Sequence, residues 1–242
     1  MRYKCTCAYD GSMFFGFQIQ KDLRTVQEEI EAVLLVIHKK KVKIHASGRT
    51  DTGVHALNQV FHFDSDIEMT PENMKNAINS RLPRDIYIKE VEIVDDNFHA
   101  RFDVKAKEYH YLLDYGEFDP LKRNYRYYCR YHNVDWDKFK EALLTFQGSH
   151  DFRSFTKNKD LEDTVREIFK IDFEQDGTLL TIKIIGNGFM HNMVRILIAM
   201  ALEVGRGKKT IEDLKLIEAQ KNRRLCPKIV PPQGLYLYRV YY

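Results

Sequence analysis

Residues 2 to 9 place Tyr3, Cys5, Cys7 and Tyr9 at every second position, and this period of two predicts a strand with one buried face. Thr25 followed by Glu28 has the spacing of a capping box. Val26, Ile30, Val33, Leu34 and Ile37 then fall on one side of a helix of about three to four turns. Short strands are expected near 42–46 and 57–63. Thr70-Pro71 opens a second helix with Met74, Ala77, Ile78 and Leu82 inward, and a strand near 86–93 completes a strand-helix-strand-strand-helix-strand set.

The pattern then recurs in order, without sequence identity. Val104 to Asp114 reads as a strand, and Asp135 caps a helix presenting Trp136, Phe139, Leu143 and Phe146. Strands near 165–174 and 178–185 flank Asp176-Gly177. Phe189 to Val204 reads as a helix ended by Gly205, Thr210 to Gln220 as another, and Gly234 to Tyr241 as the last strand. The fold class expected is therefore α+β, built of two ferredoxin-like or RRM-like βαββαβ halves. The first spans residues 1–104 and the second, with one extra helix (βαββααβ), residues 105–242. Two such halves would join their antiparallel sheets side by side around a central cleft, a common place for a ligand.

Composition changes this picture little: 44% hydrophobic and 30% charged residues over 242 positions describe an ordinary globular chain. The first ten residues lack the apolar run of a secretory signal, and the apolar stretch from Ile196 to Leu202 is too short to cross a bilayer. A cytoplasmic location away from membranes is the expectation, with Cys5, Cys7, Cys129 and Cys226 reduced. The net charge is only +3, yet cations cluster at Lys39 to Lys43, Lys122 to Arg130, Arg206 to Lys209 and Lys221 to Arg224. In the second cluster they alternate with tyrosines, a composition that suits phosphate contacts and base stacking and equally a solvated surface.

Candidate chemistry concentrates in Ser47-Gly48-Arg49-Thr50-Asp51-Thr52-Gly53, where two glycines bracket a charged pair. Taken alone, an aspartate in such a loop is more often an Asx-turn or capping residue than a nucleophile. Arg49 stands two residues away, and Arg195 interrupts the apolar run Met193, Val194, Ile196, Leu197, Ile198. A buried guanidinium there would need a carboxylate, Asp51 or another acid. His45, His55 and His62 have no zinc-ligand spacing, and Ser47 with His55 lacks the nucleophile elbow of a serine hydrolase, so neither a metal nor a catalytic triad is expected. Tyr109, Tyr111 and Leu113 share one face of a strand, where a tyrosine packs the core or stacks on an extruded base.

Several ordered motifs together resemble the TruA family of pseudouridine synthases, which act in the anticodon stem-loop of tRNA. They are Ala8-Tyr9-Asp10-Gly11-Ser12, Phe15-Gly16-Phe17-Gln18, Thr25-Val26-Gln27-Glu28, Gly48-Arg49-Thr50-Asp51 with Gly53-Val54-His55-Ala56, Phe98-His99-Ala100-Arg101-Phe102, His150-Asp151-Phe152, Asn192-Met193-Val194-Arg195 and Gly234-Leu235-Tyr236-Leu237. The resemblance implies that Asp51 is the catalytic aspartate, Arg49 its neighbouring arginine, Tyr109 a stacking residue at the target uridine, and Arg195 the basic residue supporting the aspartate. It also implies an isomerase without cofactor or metal, a homodimer, and tRNA as partner, with uridines at one or more of tRNA positions 38 to 40 as targets. Two departures, Thr52 and the run Cys226-Pro227-Lys228-Ile229-Val230, bear on the rim of the site. The alternative reading is a non-catalytic RRM-like RNA-binding protein, which leaves the segment Gly48 to Ala56 without a purpose.

Overall fold

A computed structural model describes residues 1–158 and 161–242. By its contacts the chain divides into two units, Met1–Lys105 with Tyr236–Tyr242, and Ala106–Leu235. The described residues hold a mixture of strands and five α-helices, an α+β composition.

In the first unit the order is β1 (Arg2–Tyr9), α1 (Val26–His38), β2 (His45–Ala46), β3 (His55–Asp64), α2 (Pro71–Asn79) and β4 (Ile86–Val94). β1 lies between β3 and β4 and is antiparallel to both, and β2 pairs antiparallel with β3, His45 opposite His62. The alternation along β1 does what its period predicts: Tyr3, Cys5, Cys7 and Tyr9 are buried and the intervening residues are not. All four cysteines of the chain are free and buried. Residues Tyr236 and Leu237, from the strand that ends the chain, run parallel to His55 and Ala56 of β3 in this same unit.

The start of α1 corrects the capping-box expectation. Thr25 is the N-cap residue, but its hydroxyl is buried and has no hydrogen-bond partner. The first-turn amides of Val26 and Gln27 instead donate to the carbonyls of Gly16 (3.3 Å) and Phe17 (2.9 Å). Loop backbone has taken the capping role that the side chain was expected to fill.

In the second unit the strands are β5 (Ala106–Asp114), β6 (Tyr127–Tyr128), β7 (Gly148–Asp151), β8 (Val165–Asp176) and β9 (Leu179–Gly186). β9 pairs antiparallel with β5 and β8, β7 with β8, and β6 runs parallel to the end of β5. The helices are α3 (Trp136–Leu144), capped by the Asp135 side chain as expected, α4 (Met193–Gly205) and α5 (Ile211–Ala219). The chain's last strand, β10 (Leu235–Tyr241), carries the Tyr236–Leu237 pairing already described. α4 begins four residues later than the apolar pattern predicts. Phe189 belongs to the loop before it and sets its ring edge-on to Tyr109 at 5.1 Å, so its hydrophobicity serves packing against β5 and not a helix face. The same helix runs through Gly205 and is capped by Arg206, whose N–H reaches Leu202 O, so Gly205 is not its stop.

In the first unit His45, His62 and His99 cluster: His62 stacks on His45 at 5.1 Å between ring centroids and meets His99 edge-on at 4.8 Å. His62 is buried and its Nδ1 accepts the Ala100 N–H, which a protonated ring cannot do. Burial, then the nearby Arg2, His45 and His99, push its pKa down to about 4, against a smaller opposing pull from Asp64. The unfolded chain takes up this proton near pH 6.5 and the folded one only near 4. The contribution is therefore whole above pH 6.5 and is lost as pH falls toward 4, by about 3 kcal/mol. Urea midpoints measured at pH 7 and pH 4.5 should show that drop, and His62→Gln should flatten it.

Candidate active site

The segment between β2 and β3 is held at both ends and in the middle by groups outside it. At its start the Ser47 hydroxyl donates to Gln59 Oε1 (2.6 Å), and Gln59 Nε2 donates to Gly48 O (3.0 Å). Gln59 is fully buried on β3, so one amide side chain fixes the loop's entry. In the middle, Thr50 O accepts the Phe17 N–H (3.1 Å) while its hydroxyl bonds Tyr9 Oη at 2.8 Å in a buried position. At the end Gly53 N donates to Phe14 O (3.2 Å), and Val54 N closes a turn on Asp51 O (3.1 Å). Asp51 thus sits half-buried between two pinned neighbours, and Arg49 is exposed on the same loop.

Two glycines let the loop at 10–17 come this close. A Cβ on Gly11 would lie 2.0 Å from Val54 O, and one on Gly16, whose φ is +93°, would lie 2.8 Å from Thr50 O. Asp10 adds an Asx turn, accepting from the Ser12 N–H (2.9 Å) and hydroxyl (2.6 Å). His55 is buried, accepts the Gly11 N–H on Nδ1 (3.1 Å) and stacks on Tyr236 at 4.7 Å. It packs beneath the loop, and its Nδ1 also lies 3.2 Å from Asp10 Oδ1. Tyr9, Gln59, Gly11 and Gly16 are the site residues that the sequence pattern did not single out for this work, although three of them stand in motifs quoted above.

The other two candidates lie in the second unit. Tyr109 is in β5 opposite Ile184 of β9, 8% exposed, against Phe189. Arg195 corrects the expectation of a buried cation: it is only partly buried, on the first turn of α4. Its Nε donates to Val230 O (2.9 Å) and its Nη1 to Asn192 Oδ1 (2.8 Å), while its own carbonyl accepts the Val230 N–H (3.3 Å). The bonds to Val230 and Asn192 fix the direction of the guanidinium.

A sequence model of the family described as tRNA pseudouridine synthase matches residues 6–103 and 142–242. Proteins named tRNA pseudouridine synthase A are similar along the whole chain. That of Geobacillus sp. (strain WCH70) is 48% identical, with 100% of this chain and 98% of the relative covered. That of Anoxybacillus flavithermus is 46% identical with the same coverage, and one from Listeria monocytogenes is 46% identical with 100% and 99% covered. A solved Cbf5-Nop10-Gar1 complex aligns with 82% of this chain and 54% of that longer one, at 13% identity and a TM-score of 0.37. With the family model matched over most of its length and relatives near half identical from end to end, the chain belongs to the tRNA pseudouridine synthase family.

Proposed function

We propose that this chain isomerises uridine to pseudouridine in the anticodon stem-loop of tRNA, with Asp51 as its catalytic residue and Arg49, Tyr109 and Arg195 as substrate-binding residues. The observation that carries the reading is Asp51 itself: a carboxylate held between Thr50, pinned to Tyr9 and Phe17, and Gly53, pinned to Phe14. A turn residue with no further role would not need so many fixed neighbours.

The reaction breaks the N1–C1′ bond, rotates the uracil and forms a C5–C1′ bond, the C5 proton leaving for solvent and the freed N1 ending with a proton. No electrons are exchanged, so the chemistry calls for a placed carboxylate, a pocket for the loosened base and a means of extruding the nucleotide, and for no cofactor or metal. Arg49, exposed beside Asp51, suits contact with RNA, and Tyr109 supplies a ring for the base. The same reading makes the protein a cytoplasmic homodimer that engages tRNA with both copies. For the fold, the antiparallel order β4-β1-β3-β2, with α1 and α2 between strands, supports a ferredoxin-like first half, and β5-β9-β8 with α3 and α4 supports a second.

The direct test is tritium release from tRNA carrying 5-tritiated uridine, run in excess chelator. Stoichiometric release is expected. A chain that binds the tRNA and releases nothing is an RNA-binding protein and not the enzyme. Tyr109→Ala should lower turnover by about 10-fold or more while leaving tRNA affinity within about threefold, because stacking is local and phosphate contacts are distributed. Tyr109→Phe, which keeps the ring, should retain most activity; equal losses of turnover and affinity in Tyr109→Ala would remove the assignment.

A further inference from the structure

The second unit contains a concavity of about 390 Å³ that no step of the isomerisation uses. It is bounded by Tyr127 and Tyr131, by Leu202 and Glu203 of α4, and by Lys228 to Pro231. Three of those last residues, Lys228 to Val230, come from the run that departs from the family pattern. The volume is that of a small-molecule site.

Its chemistry is specific. Glu203 is 8% exposed, and its carboxylate accepts Arg206 Nη1 on one oxygen and Lys228 Nζ on the other, each at 2.7 Å. Two carboxylate oxygens have about four acceptor positions, so acceptor capacity remains after both cations are bonded. The Arg206 guanidinium lies 3.7 Å from the centroid of the Tyr131 ring and holds it, and Tyr131 itself is 40% exposed. Leu202 and Val230 give buried apolar surface, and the backbone amides of Lys208 and Lys209 both fold back on Glu203 O, keeping that basic turn beside the carboxylate's residue.

A ligand for this lining needs a flat ring for the tyrosines, two adjacent N–H donors for a carboxylate, and an anionic group for Lys228. Guanine alone among the four RNA bases presents two neighbouring donors, N1–H and the N2 amine, on one edge. Adenine and cytosine set a ring acceptor beside their amine, and uracil sets carbonyls on both sides of its N–H. We propose that this concavity binds a guanosine nucleotide, supplied as an unpaired guanosine of the RNA substrate. The choice of source rests on the proposed function; the nucleotide site does not.

The test is calorimetric titration of the full chain with GMP, IMP, AMP, CMP and UMP at physiological salt. GMP should saturate, the other three RNA bases should bind at least about 10-fold more weakly, and IMP, which lacks only the N2 amine, should lose about 10-fold. Tyr131→Ala should weaken GMP by about fivefold or more. Glu203→Gln should abolish the preference for GMP over IMP; if that variant fails to fold, the nucleotide series on the unaltered chain tests the same point. No saturation by GMP, equal affinity for all nucleotides, or unchanged binding by Tyr131→Ala overturns the site. Displacement of GMP by a stem-loop RNA with an unpaired guanosine supports the RNA source. RNA binding without displacement overturns that source and leaves a free nucleotide as the ligand. Tritium release measured on the same preparation separates the two ideas: normal release without GMP binding removes this inference alone, and GMP binding without release removes the proposed function alone.

Discussion

Asp51→Asn is expected to bind tRNA about as tightly as the parent chain and to release tritium from 5-tritiated uridine more than about 1,000-fold more slowly. The substitution keeps the size of the side chain. The bonds that hold the loop come from Ser47, Gln59, Thr50, Gly53 and the Asp51 backbone carbonyl, none of which the change alters. What is lost is the carboxylate, which an amide replaces neither as a nucleophile nor as a base. On the proposed function tRNA docking is a matter of phosphate contacts with cations and not of this carboxylate, so affinity measured by filter binding should hold. A variant with near-normal tritium release would show that Asp51 is a turn residue after all.

The second large effect is expected from a residue that touches no substrate. Gly11→Ala places a Cβ 2.0 Å from Val54 O and 2.5 Å from Val54 C, backbone against backbone, where no rotamer change gives relief. The two loops must part, and Val54 closes the turn that contains Asp51. Displacing a catalytic group by about 1 Å costs about 100-fold in turnover, and the same overpacking should cost about 1 to 3 kcal/mol of stability. The signature is a fall in kcat with KM for tRNA nearly unchanged, together with a lower urea midpoint. A variant that loses stability but keeps kcat would separate the loop contact from catalysis.

The element order of the first unit is legible in the sequence because its apolar periods are clean: β1 alternates without interruption, and α1 buries Val26, Ile30, Val33 and Leu34 on one side. What the pattern does not carry are elements held by backbone alone. β7, Gly-Ser-His-Asp, and the two-residue β6 have no apolar alternation and exist through pairing with β8 and β5. Propensity also misassigns groups whose partners are distant in sequence. Thr25 looks like a capping residue until Gly16 and Phe17 take the amides, and Phe189 looks helical until Tyr109 takes its ring. The parallel pairing of Tyr236 and Leu237 with His55 and Ala56 of β3 joins residues far apart in the chain and leaves no local trace.

For the candidate site, Asp51 and Arg49 stand out by their glycine-bounded setting, but that setting alone favours a turn. The structure supplies what the sequence withholds: Tyr9, Gln59, Gly11 and Gly16 matter because they meet the loop in space; a place in shared motifs marks Tyr9, Gly11 and Gly16 beforehand, and nothing marks Gln59. Arg195 shows the opposite failure. Its apolar neighbours predict a buried charge, whereas one turn of helix leaves it partly exposed and bonded to Val230 O and Asn192 Oδ1.

The measurement that bears most directly on the central claim is a map of pseudouridine in tRNA from cells whose only copy of this protein carries Asp51→Asn. Loss of pseudouridine from the anticodon stem-loop, with the modification retained elsewhere and restored by the unaltered chain, is the predicted result. An unchanged stem-loop pattern in those cells would contradict it.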